Sequence, residues 1–102
     1  MYKIQFLPSA RNDLLETAEY IASELGNERA AVRLAEKILK GTEILAEFPY
    51  SYPVYTPIRP LKYEYRKLTV ENYLVFYTVD EKDKTVTVMR VVYARRNVAK
   101  IL

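Results

Sequence analysis

Apolar positions follow two rhythms along this chain. In residues 72–79 nearly every position from Leu74 to Val79 is apolar or aromatic, and residues 85–93 repeat the same Val, Thr and Tyr chemistry. Such residues fit a packed, pleated surface. A run with no polar face predicts a strand covered on both sides. The five residues between the two runs, 80–84, are all charged, which suits an antiparallel hairpin. A shorter strand, Tyr65-Arg66-Lys67-Leu68, leads in. At the other end of the chain Tyr2, Ile4 and Phe6 alternate with Lys3 and Gln5, the period of a short strand, and Pro8 closes it.

Between these strands the period changes to that of a helix. Ala10, Leu14, Ala18, Ile21 and Leu25 form one stripe, widened by Leu15 and Ala22. Ser9 is placed to cap this helix, and Asp13 to sit in its first turn, where the helix dipole favours an anion. Gly26 is placed to close it and Asn27 to cap the next. The second stripe is Ala31, Leu34, Ile38, Gly41, Leu45 and Phe48, and Pro49 stops it. Glycine costs a helix interior about 1 kcal/mol relative to alanine. Its position on the apolar stripe therefore predicts close approach of another backbone or side chain. Residues 49–62 read as a loop, with Tyr50, Tyr52 and Tyr55 set among four prolines. Its tyrosines are expected to lie along the edge of the core. The order β-α-α-β-β-β predicts an α+β fold in one domain, 1–102: an antiparallel helical hairpin packed on a small, mainly antiparallel sheet. Leu14, Ala18, Ile21, Leu34, Ile38, Leu45, Val75, Tyr77, Val88 and Val92 are the expected core.

Composition narrows the chemistry. The chain has no Cys and no His, so disulfides, thiolate metal sites and the usual neutral-pH acid–base group are excluded. No metal and no cofactor is expected. No apolar run approaches the roughly 20 residues of a membrane span. No leader pattern precedes the first strand. A cytoplasmic protein without a membrane partner is the expectation. Net charge is +3, unevenly spread: residues 1–55 carry six basic and eight acidic side chains, residues 56–102 ten basic and five acidic. Arg66, Lys67, Arg90, Arg95 and Arg96 sit beside or inside apolar strands, where an arginine has little reason to be unless its face opens to water or meets an anion. They are the candidate phosphate- or target-binding residues. For Arg90 a cross-strand pair with Glu64 or Glu71 is an alternative. Arg66 and Arg96 are expected to project freely from strand ends.

Several local patterns together resemble a known family. They are Tyr2-Lys3-Ile4, then Ala10 with Asp13-Leu14, Ile44-Leu45 with Phe48-Pro49, Tyr65-Arg66, Asn72-Tyr73 with Val75-Phe76-Tyr77, and the ending Arg90-Val91-Val92-Tyr93-Ala94-Arg95-Arg96-Asn97. In this order, over nearly the whole chain, they are similar to the RelE/ParE superfamily, the toxins of bacterial type II toxin–antitoxin pairs. The resemblance implies growth arrest, a cognate antitoxin protein as partner in a hetero-oligomer, and one of two targets. RelE-like members cut mRNA on the ribosome; ParE-like members poison DNA gyrase. By the same resemblance Arg66 and Arg96 fall near basic positions of the nuclease members. Leu74 and the Ile101-Leu102 ending depart from the nuclease pattern. If the chain is a nuclease, Arg66, Arg96 and Tyr93 are the catalytic candidates, with Tyr65 and Tyr73 as further proton-transfer candidates. An unperturbed tyrosine, with a pKa near 10, is a poor neutral-pH base. The residues therefore favour the ParE-like, non-nucleolytic side. A non-toxic interaction or RNA-binding module is the reading from another class.

Overall fold

In the computed structural model, residues 1–57 and 60–102 are described. The reading of 49–62 as a loop runs across Ile58 and Arg59, which lie outside the described residues. The elements are β1 (Lys3–Phe6), α1 (Pro8–Glu19), a π-helical turn (Tyr20–Glu24), α2 (Glu28–Ile44), β2 (Arg66–Val70), β3 (Tyr73–Asp80), β4 (Thr85–Tyr93) and a one-turn α3 (Val98–Ile101).

The sheet order is β1-β4-β3-β2. β3 pairs antiparallel with β2 and with β4, and β1 lies parallel to β4. The parallel pair is consistent with the connections: the crossover through the helical hairpin brings the chain to β2 in the direction of β1, and two antiparallel reversals leave β4 running the same way. α2 presents Leu34 and Ile38 to the sheet, where they join Leu45, Leu68, Val75, Tyr77, Val86 and Val88 in the main core. Gly41 sits where α2 crosses β2: a Cβ there would come within 3.3 Å of Leu68 Cδ2 and 3.6 Å of Val70 Cγ2, so the expected close approach is present. Asn27 caps α2, its side chain accepting from the Ala30 amide at 3.0 Å. Gly26 holds the left-handed φ of +61° that lets the chain reverse between the helices.

The opposite face of the sheet is also covered. Phe76 and Val92 are buried there with Tyr65, and Tyr55, Leu61, Val98, Ile101 and Leu102 pack over them. This explains why β3 has no polar face, and it gives the Ile101-Leu102 ending a packing role. The short α3 has no counterpart among the expected elements, because four residues carry no periodicity to read.

Three expectations need correction. Helix α1 begins at Pro8, and Leu7 precedes it with no side-chain capping bond. Proline is well placed at that first position, where no N–H partner is needed. Ser9 and Asp13 therefore lie inside the helix, not at its cap and first turn. Helix α2 ends at Ile44, short of Pro49, so Phe48 falls in the following turn and is exposed. Leu25, read as part of the first stripe, follows the π turn and is exposed as well.

Candidate functional site

β4 carries one extra residue. Phe76 pairs with Arg90 but Tyr77 pairs with Val88, leaving Met89 as the bulge. A bulge inverts the alternation of side chains beyond it. Val86 and Val88 face the helices before the bulge, and Val91 does so after it, while Val92 joins the opposite cluster. Tyr93 consequently shares the helix-side face with its partner Tyr73, their rings 5.5 Å apart and edge-on.

Tyr73 and Tyr93 line an open groove of about 730 Å³ between the end of α1, the start of α2 and the far end of β3 and β4. Tyr20, Arg33, Glu71 and Arg96 also line it. Burial pushes the Tyr73 phenol up, and its neighbours Tyr93 and Tyr20 add to the effect. Glu71 takes a left-handed φ of 52°, unusual for a side chain with a Cβ, and its carboxylate meets Lys37 at 3.3 Å. Tyr20 opens the π-helical turn, an irregularity that often marks functional sites. The exit of β4 is tied down: the Ala94 amide donates to the Asn72 carbonyl at 2.8 Å and the Arg96 amide to the Tyr93 carbonyl at 3.0 Å. Arg95 and Arg96 are exposed on that turn.

The structure separates the other candidates. Arg66 opposes Tyr77, whereas Tyr93 opposes Tyr73. Those two levels are four positions apart on β3, about 13 Å along the strand. Arg66 is not free at its strand end. Its Nη1 donates to the Tyr52 carbonyl at 2.7 Å, its guanidinium lies 4.9 Å from the centre of the Tyr50 ring, and its side chain is 19% exposed. The expectation of a projecting Arg66 fails because the loop after α2 folds back over β2, with Val54 bridging to Arg66. Lys67 pairs with Phe76 and its amide donates to the Pro53 carbonyl at 3.1 Å.

Arg90 pairs with neither Glu64 nor Glu71. Its Nε donates to Asp13 Oδ2 at 2.8 Å and its Nη2 to Asp13 Oδ1 at 2.9 Å. Sheet order is the physical reason: Glu64 and Glu71 flank β2, which β3 separates from β4, whereas Asp13 of α1 lies against β4 itself. Asp13 holds the guanidinium charged, raising its pKa further. Tyr65, a proton-transfer candidate, is buried against Phe76, and burial pushes its phenol up. Among the described residues no three His, Cys, Asp or Glu side chains are grouped to hold a metal ion. No helix there is long and apolar enough to cross a membrane.

A second polar cluster lies at the opposite end of the sheet. Glu81 accepts from Tyr2 at 2.6 Å, from Tyr50 at 2.5 Å and from Lys84. The Lys84 bond first, then the two phenols, bring its carboxyl down to about 2. The bond to Glu81 lifts Tyr50 to about 12. This cluster fastens the loop after α2 to the β3–β4 turn. Being open to solvent, it is screened and contributes little stability. Sequence reasoning missed Tyr20, Arg33 and Glu71 at the groove. No spacing groups those three; the Ser9–Asp13 spacing of four, which puts both side chains on one helix face, was a signal only for the contact of α1 with β4.

The α+β layout, with a helical hairpin between the first strand and the rest of a mixed sheet, is that of the RelE/ParE toxins. The ParDE toxin–antitoxin system of P. aeruginosa supplies a chain with TM-score 0.74 at 16% identity, covering 93% of this chain and 98% of that one. The RelBE2 complex of Mycobacterium tuberculosis gives TM-score 0.61 at 20% identity, with coverage of 90% and 96%. The isolated E. coli RelE toxin gives 0.60 at 20% identity over 100% of both chains. At these identities the likeness is one of fold. The family model described as the ParE toxin of the type II toxin–antitoxin system parDE matches residues 4–98, and the chain belongs to that family. No curated protein matches it in sequence.

Proposed function

We propose that this chain arrests growth as the toxin of a type II pair, is silenced by a cognate antitoxin protein, and acts on DNA gyrase without cutting RNA. The antitoxin part is supported by the family match and by relatives of the same fold whose structures are toxin–antitoxin complexes. The observation that carries the gyrase part is the dispersal of the arginines. Arg66 is bound to Tyr52 and Tyr50, Arg90 to Asp13, and of these three only Arg96 reaches the groove, where Arg33 of α2 and the Glu71 carboxylate also lie. Cleavage at a phosphate needs several cations aimed at one developing charge, together with a base and an acid. The groove's tyrosines do not supply the base, since Tyr73 is pushed further from neutrality by burial. Tyr93, Arg95 and Arg96 form an exposed aromatic and basic edge suited to contacting an acidic protein surface. Lys67 and Arg66 belong to a different part of the sheet and are assigned no contact with the target.

The second reading is ribosome-dependent mRNA cleavage. It is favoured by Tyr73, Tyr93 and Arg96 sharing one groove, where a phenol with a raised pKa would serve as acid. Two assays separate the readings. A purified gyrase supercoiling reaction should be inhibited by the protein, and primer extension on cellular mRNA after brief induction should show intact transcripts. Codon-phased breaks with normal supercoiling would overturn the gyrase reading and make Tyr73 and Tyr93 the first candidates for proton transfer.

A further inference from the structure

We propose that Asp13 is a positioning residue: by clamping the bulge of β4 from α1, it turns Tyr93 onto the groove. β1 ends at Phe6, opposite Val88, and the Leu7 amide makes the last bond to the Val88 carbonyl at 2.9 Å. Beyond that point no strand among the described residues lies beside β4 on the side away from β3. Backbone groups left there need partners. Helix α1 supplies them with side chains. Ser9 Oγ donates to the Met89 carbonyl at 2.8 Å, and Asp13 Oδ2 accepts from the Val91 amide at 2.8 Å. The same carboxylate takes both Arg90 donors, so Asp13 holds three donors from two successive residues of β4. Its side chain is 11% exposed and that of Arg90 28%, so the clamp is shielded from competing water.

The bulge decides what the end of β4 presents. With Met89 as the extra residue, Val91 and Tyr93 follow Val86 and Val88 on the helix side. With regular pairing, the period of two would put Tyr93 on the other face, where α3 packs. A carboxylate on α1 thus sets which side chain lines a groove several residues away. The functional consequence rests on the reading of the groove edge as the working surface. The placement of Tyr93 does not.

The test is nuclear magnetic resonance on the labelled full chain, with growth arrest read in parallel at matched expression. In the parent protein the Val91 amide should be protected from exchange although no neighbouring strand pairs with it on that side, and the Tyr73 and Tyr93 rings should show cross-peaks to each other. A rapidly exchanging Val91 amide in the parent overturns the proposal whatever the variants do. Asp13→Ala should lose both signals and relieve growth arrest, with a cooperative thermal transition retained. Asp13→Asn keeps one acceptor for the Val91 amide and should recover the ring cross-peaks. Ser9→Ala, a milder change, should weaken protection around Met89 and Val91. Ring cross-peaks that persist unchanged in Asp13→Ala would overturn the proposal. An Asp13→Ala protein in which the rings separate but growth arrest persists would support the positioning role and sink the groove as the working surface.

Discussion

Arg66 and Arg96 look equivalent in the sequence, and the structure predicts opposite outcomes when each is changed to alanine. Arg66→Ala removes a charged donor from the Tyr52 carbonyl, 2.7 Å away, and a cation from the Tyr50 ring, 4.9 Å away. A hydrogen bond from a charged group contributes about 1.5–3 kcal/mol. At 19% exposure the Arg66 side chain retains much of that. The stacking adds about 0.5 kcal/mol, given the exposed Tyr50 ring. The 3.9 Å pair with Glu64, itself 70% exposed, adds nothing measurable. The sum is about 2 kcal/mol, and in a domain of this length each kcal/mol moves Tm by about 4–8 °C, so a loss of about 8–16 °C is expected. Arg96→Ala, on an exposed turn, should stay within about 0.5 kcal/mol of the parent. Urea unfolding followed by far-ultraviolet circular dichroism measures both. Arg66→Ala within about 0.5 kcal/mol of the parent would refute the assignment of Arg66 to the fold, as would an equal loss in Arg96→Ala.

Tyr77→Phe should cost about 1–2 kcal/mol in urea unfolding, because it leaves the buried Pro49 carbonyl without the phenol that donates to it at 2.8 Å. Gly41→Leu should destabilise by about 1–3 kcal/mol despite the better helix propensity of leucine, since a Cβ alone already meets Leu68 at 3.3 Å; a stabilised variant would mean α2 can lift from β2. Glu81 has a folded pKa lowered from 4.5 to about 2, so its contribution is present above about pH 4.5 and is lost as pH falls towards 2. That contribution is small for so exposed a group, so the check is direct: the Glu81 carboxyl, followed by carbon-13 nuclear magnetic resonance, should titrate below 4.5, and an ordinary carboxylate midpoint would contradict the cluster.

The elements that carry a clear period were legible. Leu34, Ile38 and Leu45 in and just after α2, and Val75, Tyr77 and Val88 in the sheet, are buried as their spacing indicates, and Gly41 marks a real close approach. Leu14, Ala18 and Ile21 are only half-buried: Leu14 and Ile21 pack against the margin of the main core rather than within it. The site was less legible because one extra residue in β4 changes the face of everything after it. No residue type announces Met89 as a bulge. Arg90 reads as a cross-strand partner because the sequence does not show that β3 separates β4 from β2, and its carboxylate lies on α1. Arg66 reads as a free strand-end charge because the loop that covers it joins β2 through backbone contacts, which leave no side-chain pattern. The family resemblance located the toxin class from motif order, whereas grouping Tyr20, Tyr73, Tyr93 and Arg96 required three dimensions.

Residues that hold this protein together are distinct from those assigned to its target, and one double variant measures that separation. Tyr93→Ala with Arg96→Ala, expressed without antitoxin at the parent's level, should relieve growth arrest while the protein keeps a cooperative thermal transition, lowered by about 2–12 °C for the lost Tyr73–Tyr93 ring pair, worth about 0.5–1.5 kcal/mol. Arrest as strong as the parent's from the folded double variant would contradict the assignment of the groove edge as the working surface.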